Sequence, residues 1–175
     1  MLKEIYFAGG CFWGLQKYFS LVGGVADTEV GYANGVIAQP TYKAVCTGDT
    51  GHAETVKITY DNELTSLEHL LEMFYKVIDP TSLNRQGNDI GTQYRTGVYF
   101  ADEADKAVIV ASLRELQKQY REPLAVEVMP IENYHRAEEE HQNYLEKNPG
   151  GYCHIGESAF ENARKAYWKE VQPPK

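Results

Sequence analysis

The first hydrophobic run, Ile5-Tyr6-Phe7-Ala8, belongs to a strand over residues 2–8. From residue 12 the spacing becomes helical, and Gly23-Gly24 ends that helix near residue 22. Residues 25–32 alternate as a second strand. Strand spacing returns over residues 53–60, with Val56 and Ile58 on one face, and Asp61-Asn62 turns the chain. Leu67, Leu70, Leu71, Phe74 and Val77 recur at helical intervals. Thr65 with Glu68 marks the start of this helix as a capping box, and Asp79-Pro80 marks its stop. Residues 97–101 read as a strand. Asp102 then caps a helix to Tyr120 whose apolar face includes Ala104, Ala107, Val108, Ala111 and Leu116. A strand at 126–129, a charged helix over 134–147 and a last helix from Glu157 to Trp168 complete the pattern.

Two polar stretches, residues 33–52 and 79–95, carry no periodicity. Irregular connections of that length are uncommon in a compact domain and are often functional. The order β-α-β-β-α-β, followed by α-β-α, begins with the split βαβ plait. It predicts an α+β fold, a two-layer sandwich on a ferredoxin-like plait, with both long loops and the Gly-rich stretch near 148–156 gathered near Cys11. No repeat, low-complexity tract or linker divides the chain, so residues 1–175 are expected to form a single domain.

Composition narrows the partners. Asp and Glu number 25 against 17 Lys and Arg, a net charge of −8, which disfavours nucleic acid and anionic membrane. No run approaches the ~18 apolar residues of a membrane span. The first residues lack the basic-then-apolar order of a leader, so a cytoplasmic location is expected. The three cysteines, at 11, 46 and 153, are too scattered for a disulfide scaffold and lack zinc spacing. A disulfide in this chain is expected to be transient and catalytic, and no cofactor is expected.

The segment Gly9-Gly10-Cys11-Phe12-Trp13-Gly14 joins the first strand to the first helix. Glycines permit a sharp reversal there. Cys11 then lies in the first helical turn, where unpaired N–H groups and the helix dipole favour the thiolate of a nucleophile. The bland alternative is a buried structural cysteine. Phe12 and Trp13 are placed to wall an apolar pocket at the thiol. Glu54 stands where a long loop enters a strand; half-buried, it would stay neutral and donate a proton, and solvated it would do nothing. Tyr42 and Tyr94, one in each long loop, offer phenols that donate to a substrate oxygen, or simply pack. Asp89 is a turn former on its bland reading. Cys153 lies in Asn148-Pro149-Gly150-Gly151-Tyr152-Cys153-His154, where flexibility suits a resolving thiol as well as an ordinary exposed one. Cys46 reads as inert, and His135 and His141 as solvated or capping groups without metal spacing.

Together these motifs resemble the A-type peptide methionine sulfoxide reductases, which reduce methionine-S-sulfoxide, free or in proteins. The likeness covers most of the chain. It runs through Gly10-Cys11-Phe12-Trp13-Gly14, Pro40-Thr41-Tyr42, the segment from Val45 to Glu54 containing Gly51-His52-Ala53-Glu54, the segment from Asn84 to Arg95 containing Gly87-Asn88-Asp89-Ile90-Gly91-Thr92-Gln93-Tyr94, then Asn148-Pro149 and Gly151-Tyr152-Cys153. The resemblance implies Cys11 as nucleophile, Phe12 and Trp13 as methyl pocket, Glu54 as acid, Tyr42 and Tyr94 on the sulfoxide oxygen and Asp89 in the substrate site. It also implies Cys153 as resolver, with thioredoxin as reductant. In place of the family's Gly-Gly after the second strand stands Asn34-Gly35, and Asn tolerates the same left-handed backbone. Ile78 replaces the His often found before Asp-Pro-Thr. No cysteine follows Cys153, which implies a single resolver.

The cycle so implied passes through a Cys11 sulfenic acid and a Cys11–Cys153 disulfide. Two rivals stand beside it: a cysteine hydrolase using Cys11 with His52 and an acid, and a non-enzymatic redox sensor switching through Cys11 and Cys153.

Overall fold

A computed structural model describes residues 1–166. Its elements run β1 (Leu2–Ala8), α1 (Phe12–Ser20), β2 (Val25–Ala33), α2 (Tyr42–Cys46), β3 (Ala53–Asp61), α3 (Leu67–Tyr75), β4 (Arg85–Gln86), β5 (Asp89–Ile90), β6 (Thr96–Phe100), α4 (Asp105–Gln117), β7 (Val126–Pro130), β8 (His135–Arg136), α5 (Tyr144–Lys147) and α6 (Glu157–Lys165). Short 3₁₀ turns lie at Thr92–Tyr94 and Glu139–His141. This is a mixed α/β architecture. Six strands form one sheet in the order β7-β6-β1-β3-β2-β8, antiparallel except for the parallel pair β6 and β7, while β4 and β5 pair separately.

Strand alternation decides what each face buries. Ile5 and Phe7, Val30 and Tyr32, Val56 and Ile58, Val98 and Phe100 point into the main core with side chains of α1, α3, α4 and α6. Tyr6, Ala8, Ala33, Ala53 and Tyr99 face the other way, under Met129, Ile131 and Tyr134. Both long loops are pinned by buried polar side chains. His52 accepts the Gly35 N–H at Nδ1 and lies 2.6 Å from the Ile37 carbonyl at Nε2. Gln86 binds both backbone groups of Asp79 and the Thr96 hydroxyl. Thr92 donates to the Gly48 carbonyl, so the loops also hold each other. Polar atoms satisfied in this way give an irregular backbone a fixed path.

Several sequence expectations need correction. The charged helix over 134–147 is broken into β8, the 3₁₀ turn and α5, because Asn143 takes a left-handed backbone and His135–Arg136 pair with β2. Ser66, not Thr65, caps α3 by accepting the His69 N–H; Thr65 is buried. Asp102 accepts the Ala104 N–H one turn ahead of α4, and the buried side of that helix carries Ile109 and Leu116, not Ala107 and Ala111. The first long loop contains the helix α2, capped by Thr41. The expected end of the last helix at Trp168 lies outside the described residues. Asn34 has the left-handed backbone expected of it, with φ of 59°.

Candidate functional site

The site forms where β1 ends. The register sets Phe7 opposite Val56, so antiparallel pairing brings the start of β3, with Glu54, beside the turn that leads to Cys11. Glu54 shares the inward face of Val56 and Ile58. Gly10 makes the turn with φ of +82°, and an added Cβ there would stand 2.9 Å from Gln86. Cys11 follows as N-cap of α1 and is 5% exposed.

Glu54 is 1% exposed, and its Oε1 accepts the Phe12 N–H at 3.1 Å. Its Oε2 is buried without a partner. Burial pushes the Glu54 carboxyl up to about 8; the Phe12 N–H opposes this and the Asp89 charge adds to it. At neutral pH the group is therefore mainly the neutral acid, with a proton to give and an unpaired oxygen to give it from.

The expected Cys11 thiolate is not the resting form. Burial raises the thiol far above its ordinary range, and the Glu54 charge raises it further. The Trp13 N–H is the one contribution that favours the thiolate, and it is outweighed. A helix start favours a thiolate and burial in apolar surroundings disfavours it; at Cys11 burial is the larger effect.

Around this pair stand aromatic rings. Phe12 is buried, and its ring lies 5.8 Å from Tyr32 and 6.3 Å from Tyr42. Trp13 stacks on Tyr144 at 3.8 Å and lies parallel to Tyr42 at 6.2 Å. The phenols of Tyr42 and Tyr94 are raised by burial first and then by the Glu54 charge, which both are close enough to feel. They remain protonated donors. Asp89 is 9% exposed and accepts the Tyr152 hydroxyl at 2.9 Å. The Cys153 sulfur lies against α1: a Cβ added to Gly14, three residues after Cys11, would be 2.9 Å from it. It donates to the Ile155 carbonyl at 3.3 Å, and all three cysteines are free thiols. Cys46 is exposed at the end of α2, its sulfur beside the Tyr42 hydroxyl. His52, with both ring nitrogens engaged by the loop, has none left to serve Cys11 as a base.

Residues 3–172 match the family described as peptide methionine sulfoxide reductase. The chain belongs to the A-type peptide methionine sulfoxide reductases. The reductase named MsrA from Lachnoclostridium phytofermentans is 58% identical over 166 residues, covering 95% of this chain and all of its own. Among solved structures, Mxr1 from Saccharomyces cerevisiae in reduced form superposes with a TM-score of 0.82 at 38% identity, covering 87% of this chain and 88% of its own. Mxr1 in complex with Trx2 gives 0.57 at 25% identity, covering 82% and 84%.

The sequence missed residues that border the candidate site. His141, expected to be solvated or capping, is 6% exposed and stacks on Tyr42 at 4.2 Å. Its Nδ1 accepts the Trp13 indole N–H at 3.1 Å. Glu138 takes the Tyr32 hydroxyl on one oxygen and the Tyr42 N–H on the other, which fixes the start of α2. Burial alone would raise Glu138; these donors hold it below its ordinary value. Glu138, Glu140 and His141 bring ligand atoms within 4.8 Å of one another, but the Glu138 oxygens and His141 Nδ1 already serve the aromatic wall. The missed signal was the lack of an apolar stripe over 134–147, which a buried helix would have needed.

Proposed function

We propose that the chain performs its family's thiol-dependent reduction of methionine sulfoxide with Cys11 as nucleophile and Glu54 as acid. The observation that carries this reading is the buried Glu54, one oxygen held by Phe12 of the Cys11 turn and the other unpaired. The substrate methyl group rests on Phe12 and Trp13, the oxygen lies toward Glu54, Tyr42 and Tyr94, and Asp89 borders the substrate site. Glu54 protonates the oxygen, the Cys11 sulfur attacks the sulfoxide sulfur, and the Cys11 proton returns to Glu54. The methionine S–O bond and the bond between the two sulfurs then break as the protonated oxygen passes to the Cys11 sulfur: methionine leaves with its sulfur lone pair restored, and Cys11, oxidised by two electrons, carries the oxygen as sulfenic acid. Cys153 then condenses with it, releasing water and forming a disulfide. Thioredoxin reduces that disulfide, a role supported by the Mxr1 complex with Trx2. No step calls for a metal or organic cofactor.

The strand order β6-β1-β3-β2 supports reading the core as a ferredoxin-like split βαβ plait within a two-layer sandwich. The whole chain is read as one catalytic domain. Among the described residues no helix is long and apolar enough to cross a membrane, and a cytoplasmic location fits chemistry fed by thioredoxin.

The test is incubation with resolved methionine sulfoxide diastereomers and a thioredoxin system, following reductant consumption. The S epimer is expected to be reduced and the R epimer left, a handedness that comes from the family resemblance. The pocket has an apolar side and a proton-donating side, so exchanging methyl and oxygen puts the oxygen on rings. Comparable turnover of both epimers would refute this arrangement. Loss of turnover in Cys153→Ser would exclude a hydrolase, and consumption of sulfoxide would exclude a mere sensor.

A further inference from the structure

Nine buried side-chain polar atoms have no hydrogen-bond partner among the described residues, and three of them meet in one place. These are Asp89 Oδ2 and the two ring nitrogens of His154. Both side chains are largely out of solvent, His154 at 8% and Asp89 at 10% exposure, and Nδ1 stands 3.7 Å from Oδ2. That gap is too long for a direct hydrogen bond. The ring also lies beside the Gly9 backbone, and an added Cβ on Gly10 would lie 3.2 Å from Nε2. The imidazole therefore sits between the Asp89 hairpin and the turn that carries Cys11. Buried polar atoms without partners are few in native proteins, and two that face each other, Asp89 Oδ2 and His154 Nδ1, call for an explanation.

The neighbours supply one. Asp89 Oδ1 already holds the Tyr152 hydroxyl at 2.9 Å, so its two oxygens face the residues on either side of Cys153. One contact is made and the other stands open. Between them the Cys153 sulfur is seated against Gly14, three residues after Cys11 and so about one helical turn away.

We propose that Asp89, Tyr152 and His154 form a clasp on the Cys153 segment, half closed in the dithiol protein, whose second contact closes as Cys153 engages oxidised Cys11. The proposal rests on reading Cys153 as the resolving thiol. Tyr152 and His154 are then positioning residues for the disulfide-forming step. In that step the Cys153 sulfur displaces the sulfenic hydroxyl of Cys11, and that hydroxyl leaves as water with the thiol proton. A thiol held beside its target reacts faster than one on a free Gly-rich segment, because orientation is settled before the reaction.

The experiment mixes enzyme with one equivalent of methionine-S-sulfoxide and no reductant. It times methionine release and disulfide formation separately, and traps the sulfenic acid with a dione reagent. For Tyr152→Phe and His154→Ala, methionine release is expected within about twofold of wild type. Disulfide formation is expected about tenfold slower, with a longer-lived sulfenic acid, the order of effect of a lost orienting contact. His154→Asn, which keeps a donor toward Asp89, is expected to recover part of the rate. Disulfide formation at the wild-type rate in both Tyr152→Phe and His154→Ala would overturn the clasp. So would an equal slowing of both steps, which would mark a general lesion of the site; thermal melting identifies a variant that has lost its fold, and His154→Asn then decides. Mass spectrometry of the oxidised wild type tests the underlying reading separately. A disulfide that omits Cys153 would remove the resolver, and the clasp with it.

Discussion

Cys11→Ser is expected to abolish sulfoxide reduction, whereas Cys153→Ser completes one turnover and stops. Of the three thiols only Cys11 stands at the strand-to-helix turn, next in the chain to the Phe12 N–H that Glu54 holds. A serine hydroxyl in its place lacks the nucleophilicity and polarisability needed to accept oxygen from sulfur, and the loss should reach the detection limit. Cys153 enters only after methionine has left. Its Ser variant should release one methionine per enzyme with or without thioredoxin, and should accumulate sulfenic acid that a dione reagent captures. Cys46→Ser should stay near wild type, because its sulfur is exposed and a serine oxygen sits as well beside the Tyr42 phenol. Counting methionine against enzyme, with excess sulfoxide, distinguishes the three. Multiple turnovers in Cys153→Ser with thioredoxin would show that another thiol resolves the intermediate. No turnover at all would place Cys153 in the first step.

Glu54→Gln is expected to slow single-turnover methionine release by about 10²–10⁴-fold, the span of a positioned general acid. Glutamine keeps the shape and can still accept the Phe12 N–H, so the lesion is confined to the missing proton. The pH profile carries the same information with a definite sign. Glu54 titrates at about 8 in the fold, against an ordinary 4.5, so the active form is the protonated one. The rate should fall as pH rises through about 8, and that alkaline limb should vanish in Glu54→Gln. Stability follows the same direction. The folded protein holds this proton more tightly than the unfolded chain, so the contribution is full below about 4.5 and is lost as pH rises through about 8. A Glu54→Gln protein with near-normal release would mean that the proton comes from elsewhere, with the Tyr42 and Tyr94 phenols as the next donors to test.

How much of this was legible in the sequence depended on how local the cause was. Glu54 follows the same two-residue period as Val56 and Ile58, so its inward direction was written in the strand. The turn at Gly9-Gly10 and the helix after it were equally local. The state of Cys11 was not, because burial arises only when β3, α1 and the loop hairpin close over the sulfur. His141 was unreadable for a similar reason: its place among Trp13, Tyr42 and Tyr144 depends on a segment 128 residues from Trp13 folding back without a helix. On α4 a stripe of alanines looked core-facing, but small side chains bury little area, and Ile109 and Leu116 set the rotation of the helix.

The protonated resting state of Cys11 bears on selectivity among oxidants. Peroxides attack the thiolate, and a thiol 5% exposed with its proton held far above the ordinary range offers them almost none. On the proposed mechanism a bound sulfoxide brings its own acceptor for the Glu54 proton, so the sulfur would become reactive only with a substrate in place. The same burial that slows the bare nucleophile therefore spares it from being spent on the oxidants that create its substrate.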